Sequence, residues 1–169
     1  MNPEPRTILL VEDDARDAEL TLAALIEFNS VSHVAVVPDG EQALDYLRRR
    51  GKFETRPAGN PAVVLLDLKL PKVSGLEVLK RMRADPELKT IPVVIFSSSR
   101  AESDLIECYR EGANGYVVKP LDFFEFMKVI KGLASFWAVI NEPPPTFVEE
   151  KPIVHNGDLP HLEAPAAVK

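Results

Sequence analysis

Short apolar runs alternate with amphipathic stretches over most of the chain. Thr7–Ile8–Leu9–Leu10–Val11 is a compact apolar run, and Ala62–Val63–Val64–Leu65–Leu66 is another. Runs of this length bounded by polar loops predict strands buried on both faces of a parallel sheet. Between them, Ala15–Phe28 places Ala18, Leu22, Leu25 and Ile26 on one stripe and predicts a helix. Val31 and Val34–Val37 predict a short second strand, ended by Pro38–Asp39–Gly40. Glu41–Arg50 carries Ala43, Leu44 and Leu47 at helical spacing. After the third strand, Ser74 predicts the cap of a helix through Leu76, Val78, Leu79 and Met82 that Asp85–Pro86 stops. Pro92–Phe96 is a fourth strand, followed by a helix over about 101–111. Gly115–Val118 is a fifth strand, followed by a helix over about 122–139.

Five strand–helix units with short connections predict a doubly wound (βα)5 α/β sandwich of the flavodoxin-like kind. Right-handed crossovers place helices on both faces of the sheet. Near residue 140 the pattern stops. Pro143–Pro144–Pro145 opens a Pro-rich extension over 141–169, which reads either as a disordered tail or as an arm. Phe147, Val148, Ile153 and Val154 would let such an arm add a strand to its own domain or to a partner. Residues 1–5 read as a flexible lead and 6–140 as the domain. His155 and His161 read as ordinary surface residues.

Composition narrows the function. A chain of 169 residues with a formal charge of −6 suits one domain and argues against a nucleic-acid surface. The tail is too short and insufficiently basic for a DNA-binding output module. The single cysteine, Cys108, excludes an internal disulfide and a cysteine-rich zinc site, and it falls in a helical pattern as a small buried residue. No stretch reaches the roughly 20 apolar residues of a membrane span, and the N-terminus lacks the order of a signal peptide. A cytoplasmic protein without membrane contact is expected.

The chemistry gathers at the carboxyl ends of the strands, where open α/β sheets bind ligands. Glu12 and Asp13 follow the first strand and Asp67 the third. Such carboxylates repel one another unless a cation intervenes, and hard oxygen ligands in a small site suit Mg²⁺. Ser97 and Lys119 end the fourth and fifth strands. A carboxylate nucleophile, a cation, a hydroxyl and an ammonium at one edge suit phosphoryl transfer, with an aspartyl phosphate as the covalent product.

Leu10–Val11–Glu12–Asp13, Leu65–Leu66–Asp67–Leu68–Lys69–Leu70–Pro71 with Gly75, Ile91–Ser97 and Gly112–Pro120 together resemble the receiver domain of two-component response regulators. The likeness covers about residues 6–140 and implies a parallel sheet of order 2-1-3-4-5. It implies that Asp67 is the phosphoacceptor and modified residue, served by the phosphohistidine of a sensor histidine kinase. Glu12, Asp13 and Asp67 would hold Mg²⁺, with Mn²⁺ or Ca²⁺ as substitutes in vitro or in crystals, and Lys69 would add only its backbone carbonyl. Ser97 would be the switch hydroxyl, Tyr116 the aromatic rotamer switch, and Lys119 the phosphate-contacting ammonium. Lys119–Pro120 would be a cis bond.

Glu12 stands where many receivers have Asp, and Ser97 where Thr is also common. The loop 48–57 and the aromatic residues of the last helix resemble small regulators paired with phytochrome-type kinases. Phe123, Phe136 and Trp137 are then expected at a homodimer interface formed by the fourth helix, fifth strand and fifth helix. Hydrolysis at Asp67 would be slow self-dephosphorylation, so a phosphoacceptor is expected and not an enzyme. A histidine phosphotransfer protein is a further expected partner. Two alternatives are a phosphorylation-independent dimeric interaction module and a Mg²⁺-dependent phosphohydrolase with an aspartyl nucleophile. Hydrolases of the haloacid-dehalogenase group carry a second acid two residues past the nucleophile. Lys69 occupies that position here and argues against them.

Overall fold

The computed structural model describes residues 6–27 and 33–144. The elements follow in the order β1 (Thr7–Val11), α1 (Ala15–Glu27), β2 (His33–Val37), α2 (Gly40–Arg48), β3 (Val63–Leu66) and α3 (Gly75–Ala84). Then come β4 (Val93–Ser97), α4 (Glu102–Arg110), β5 (Gly115–Val118) and α5 (Phe123–Ala134). The five strands are parallel in the order β2-β1-β3-β4-β5. That is the expected doubly wound sheet. The expected continuation of α1 to Phe28, the strand residue Val31, residues 1–5 and the strand-forming tail residues beyond 145 lie outside the described residues.

Period-two alternation sorts each buried strand onto two cores. Leu9, Val11, Val64, Leu66, Val93 and Ile95 face α2, α3 and α4, where Leu44, Leu79, Met82 and Cys108 cover them. Ile8, Leu10, Val63, Leu65, Val94 and Phe96 face α1 and α5, under Leu25, Phe126, Ile130 and Ala134. The stripe of α1 is rotated from the sequence expectation. Thr21 and Ala24 are buried, whereas Ile26 is 73% exposed. The buried face of α1 is Ala18, Thr21, Ala24 and Leu25, and Ile26 turns away from it.

Helix starts follow their caps. Asp39 accepts the Gln42 amide at 2.8 Å, Ser74 the Glu77 amide at 3.3 Å, and Asp122 the Glu125 amide at 3.0 Å. Gly75 opens α3 against the end of β3. A Cβ there would stand 1.9 Å from the Asp67 carbonyl oxygen, so only glycine lets the helix start so close. Helix α5 does not run as a regular α-helix to Val139. It widens into a π-helical segment, Ser135–Ile140, closed by the Asn141 amide on the Phe136 carbonyl at 2.7 Å. The widened turn keeps Ala138 in the core, and Arg6 caps it from β1 through the carbonyls of Ala138 (3.2 Å) and Asn141 (2.7 Å). A 3-10 turn at Gly51–Phe53 folds the long α2–β3 loop back, with Phe53 edge-on to Tyr46.

Candidate functional site

Strand register brings the chemistry together. Val11 pairs with Leu66, so Glu12 and Asp67 emerge side by side one residue later. Backbone bonds hold this edge: Asp67 N–H donates to the Val11 carbonyl at 3.1 Å and Lys119 N–H to the Ser97 carbonyl at 2.9 Å. Leu10, Leu65 and Val117 face the α1–α5 core, and the residues two further along are Glu12, Asp67 and Lys119. Alternation therefore points all three side chains to one face.

There, Lys119 Nζ donates to Glu12 Oε2, to Asp67 Oδ2 at 2.8 Å and to Asp17 Oδ2 at 2.9 Å. Its stem passes the Phe96 ring, with Nζ 5.7 Å from the ring centre. The other Asp67 oxygen, Oδ1, accepts the Leu68 amide at 2.7 Å and, over a long 3.4 Å, the Lys69 amide. Glu12 Oε1 accepts the Asp14 amide at 3.0 Å. Both oxygens of each carboxylate are thereby oriented by this chain alone. Burial raises the Glu12 pKa above the ordinary carboxylate value, against the lowering effect of Lys119. Burial also opposes the charge on Lys119, but its hydrogen bonds to Asp67, Glu12 and Asp17 outweigh it and its pKa rises.

Glu12, Asp13 and Asp67 each offer a carboxylate oxygen, and these lie within 4.8 Å of one another. Glu12 and Asp67 are buried, while Asp13 stands open to solvent. The donor set is all oxygen, and carboxylates outnumber the ammonium, so the residues fit a hard divalent cation. The Lys69 side chain is exposed.

Ser97 and Tyr116 sit on the opposite alternation and do not join this ion cluster by hydrogen bonds among the described residues. Ser97 is fully buried, and its Oγ accepts the Ser99 amide at 3.3 Å. Tyr116 Oη donates to the Ser99 carbonyl at 3.0 Å, and Ser99 Oγ donates to Asp104 at 2.5 Å. The strand-end hydroxyl, the β4–α4 loop and the tyrosine thus form one hydrogen-bonded chain. Lys119–Pro120 is trans, which corrects the cis expectation. A trans bond, the ordinary X–Pro state, already delivers Nζ to Asp67.

Of the last helix's aromatics, Phe126 is buried and Trp137 packs partly on the α1–α5 core, edge-on to Phe136 at 5.0 Å. Phe123 and Phe136 are 50% and 47% exposed. Leu121 and Phe124, which sequence reasoning did not place at the interface, are more exposed still. Asp17 was missed as well. The available signal was its place in the first turn of α1, three residues past Asp14, whose Oδ1 accepts its amide at 3.0 Å.

Residues 8–131 match the family model described as the response regulator receiver domain. Response regulator Rcp1 of Synechocystis sp. is 37% identical over 137 residues, covering 80% of this chain and 90% of Rcp1. Its Mn(2+)-bound crystal structure superposes with a TM-score of 0.77 at 36% identity, covering 83% of this chain and 100% of that one. The phosphorylated cyanobacterial phytochrome response regulator RcpA gives a TM-score of 0.77 at 38% identity, with 83% and 99% covered. The bacteriophytochrome response regulator RtBRR is 57% identical, with a TM-score of 0.66 over 83% of this chain and 85% of that one. Among the described residues, no helix is long and apolar enough to cross a membrane. With its strand order, its acidic cluster and these relatives, the chain belongs to the response regulator receiver family.

Proposed function

We propose that Asp67 accepts a phosphoryl group from the phosphohistidine of a phytochrome-type sensor histidine kinase in the cytoplasm, and that Mg²⁺ is the working cation. The observation that carries this reading is the convergence of Asp67, Glu12 and Asp13 with the Lys119 ammonium at one strand edge. An Asp67 carboxylate oxygen attacks phosphorus, the P–N bond breaks, and the imidazole leaves with its electron pair. The amides of Leu68 and Lys69 hold the carboxylate in place. Lys119 Nζ, already within hydrogen-bond reach, offers a donor to the incoming phosphoryl oxygens. When bound by Glu12, Asp13 and Asp67, Mg²⁺ supplies further positive charge against those oxygens. Ser97 Oγ, at the same edge, is the hydroxyl proposed to contact the phosphoryl group. Tyr116, tied to it through Ser99, reports that contact to the α4 side.

The phytochrome pairing draws on the relatives, two of which are phytochrome or bacteriophytochrome response regulators. Output runs through protein contact: a homodimer using Phe123, Phe136 and Trp137, or onward transfer to a histidine phosphotransfer protein. The exposed rings of Phe123 and Phe136 support the first.

Incubation with phosphoramidate should add one phosphoryl mass only when Mg²⁺ is present, and Asp67→Asn should abolish the gain. An unchanged mass in the wild type under those conditions refutes the phosphoacceptor reading. Phe136→Glu should convert a dimer to a monomer in size exclusion with light scattering, and an unaltered oligomer refutes that interface.

A further inference from the structure

A lysine ammonium carries three donors and no acceptor. At Lys119 each donor has its own carboxylate, on Glu12, Asp67 and Asp17. Two of those carboxylates have another task. Glu12 and Asp67 belong with Asp13 to the oxygen cluster that fits a cation, and Asp17 does not. Phosphorylation would also change the Asp67 oxygen that Lys119 contacts. Asp17 is the one partner left chemically unaltered when the site is loaded.

We propose that Asp17 is a positioning residue for Lys119, anchoring the ammonium from the α1 side so that it does not settle between Glu12 and Asp67. The inference rests on the reading of Asp67 as phosphoacceptor. Asp17 is well placed for the task. It lies in the first turn of α1, where its amide donates to Asp14 Oδ1 at 3.0 Å and its carbonyl accepts Thr21 Oγ1 at 2.7 Å. Its side chain is 33% exposed while that of Lys119 is 7% exposed, so the carboxylate holds the ammonium from the rim of the site. Without it, the only carboxylates left to Lys119 among the described residues are members of the cation cluster, and ammonium and cation compete for the same oxygens. Removal of Asp17 therefore weakens cation binding and slows phosphoryl uptake together.

The test uses the full chain as wild type, Asp17→Asn, Asp17→Glu, Lys119→Met and the double variant Asp17→Asn with Lys119→Met. Calorimetry with Mg²⁺ alone gives the dissociation constant. Phosphoramidate uptake followed by intact mass gives the rate. In the wild-type background, Asp17→Asn should weaken Mg²⁺ binding and slow uptake, each by about threefold or more, the scale of a partly exposed charge pair. Asp17→Glu should recover most of both. In the Lys119→Met background the Asp17→Asn effect should disappear, because the residue acts through the ammonium. An effect of equal size in that background would mean simple loss of a nearby charge and overturns the proposal, as does no effect in the wild-type background. Should the wild type take up no phosphoryl group, the Asp67 reading fails by itself. The Mg²⁺ constants across the same four variants then still decide the role of Asp17.

Discussion

The two ends of the sheet hold charge in opposite ways. At the amino end, the guanidinium groups of Arg83 and Arg56 are spent on neutral oxygens. Arg83 donates to the carbonyls of Gly112 (2.9 Å), Lys89 (3.1 Å) and Ile91 (3.0 Å) and to the Asn114 side chain (2.9 Å). Arg56 does the same for Tyr46, Leu47, Pro57 and Gly59, and stacks on the Tyr46 ring. At the carboxyl end, charge meets charge, with three carboxylates on a single ammonium. The titration shifts follow suit. Burial lowers the Arg83 and Arg56 pKa values because no strong anion opposes it, whereas the carboxylates around Lys119 override burial and raise its pKa. A fork fitted to carbonyls is a staple. A cluster with excess negative charge is a site that a cation and a phosphoryl group can enter.

Substitutions at the two ends should separate these roles. The largest contrast is between Asp67→Asn, which should lose all phosphoryl uptake while keeping its fold, and Arg83→Ala, which should keep uptake per folded molecule. The stability cost of Arg83→Ala should be about 2–4 kcal/mol in urea denaturation, because several loop carbonyls lose their donor at once. Equal damage to uptake in the two variants would erase the distinction. Gly75→Ala should fall between the classes, costing about 1–3 kcal/mol through overpacking and slowing uptake too, since the new methyl presses on the Asp67 backbone. The smallest effect is expected at Cys108. Burial raises its thiol pKa to about 11, so at pH 8 a thiol reagent should modify it only after denaturant is added. Rapid labelling of the folded chain would contradict the packing under α4.

Much of this was legible in the residues. The apolar runs mark β1, β3 and β4 because strands buried on both faces have few other places to go, and the cap at Ser74 marks a helix start by local chemistry. The strand-end acids and Lys119 were legible for the same reason: they end runs whose placement is forced. Asp17 was hidden because a helix read for its apolar stripe discards its polar positions, although the first turn of α1 sets this one against Lys119. Ile26 illustrates the converse, an apolar residue at stripe spacing left outside while Thr21 and Ala24 are buried. The π-helical segment at Ser135–Ile140 has no compositional mark. Its carbonyls meet Arg6, more than a hundred residues earlier, which caps them.

The close approach at Gly75 has a mechanical consequence. An added carbon there would stand 1.9 Å from the Asp67 carbonyl, and the Gly75 amide is bonded to the Leu68 carbonyl at 2.9 Å. Helix α3 thus works as an anvil behind the strand end, with no clearance left to absorb a push. Any displacement that begins at the Asp67 carboxylate must be taken up elsewhere. Beside it, the β4–α4 loop is strung on hydrogen bonds from Ser97 through Ser99 to Tyr116.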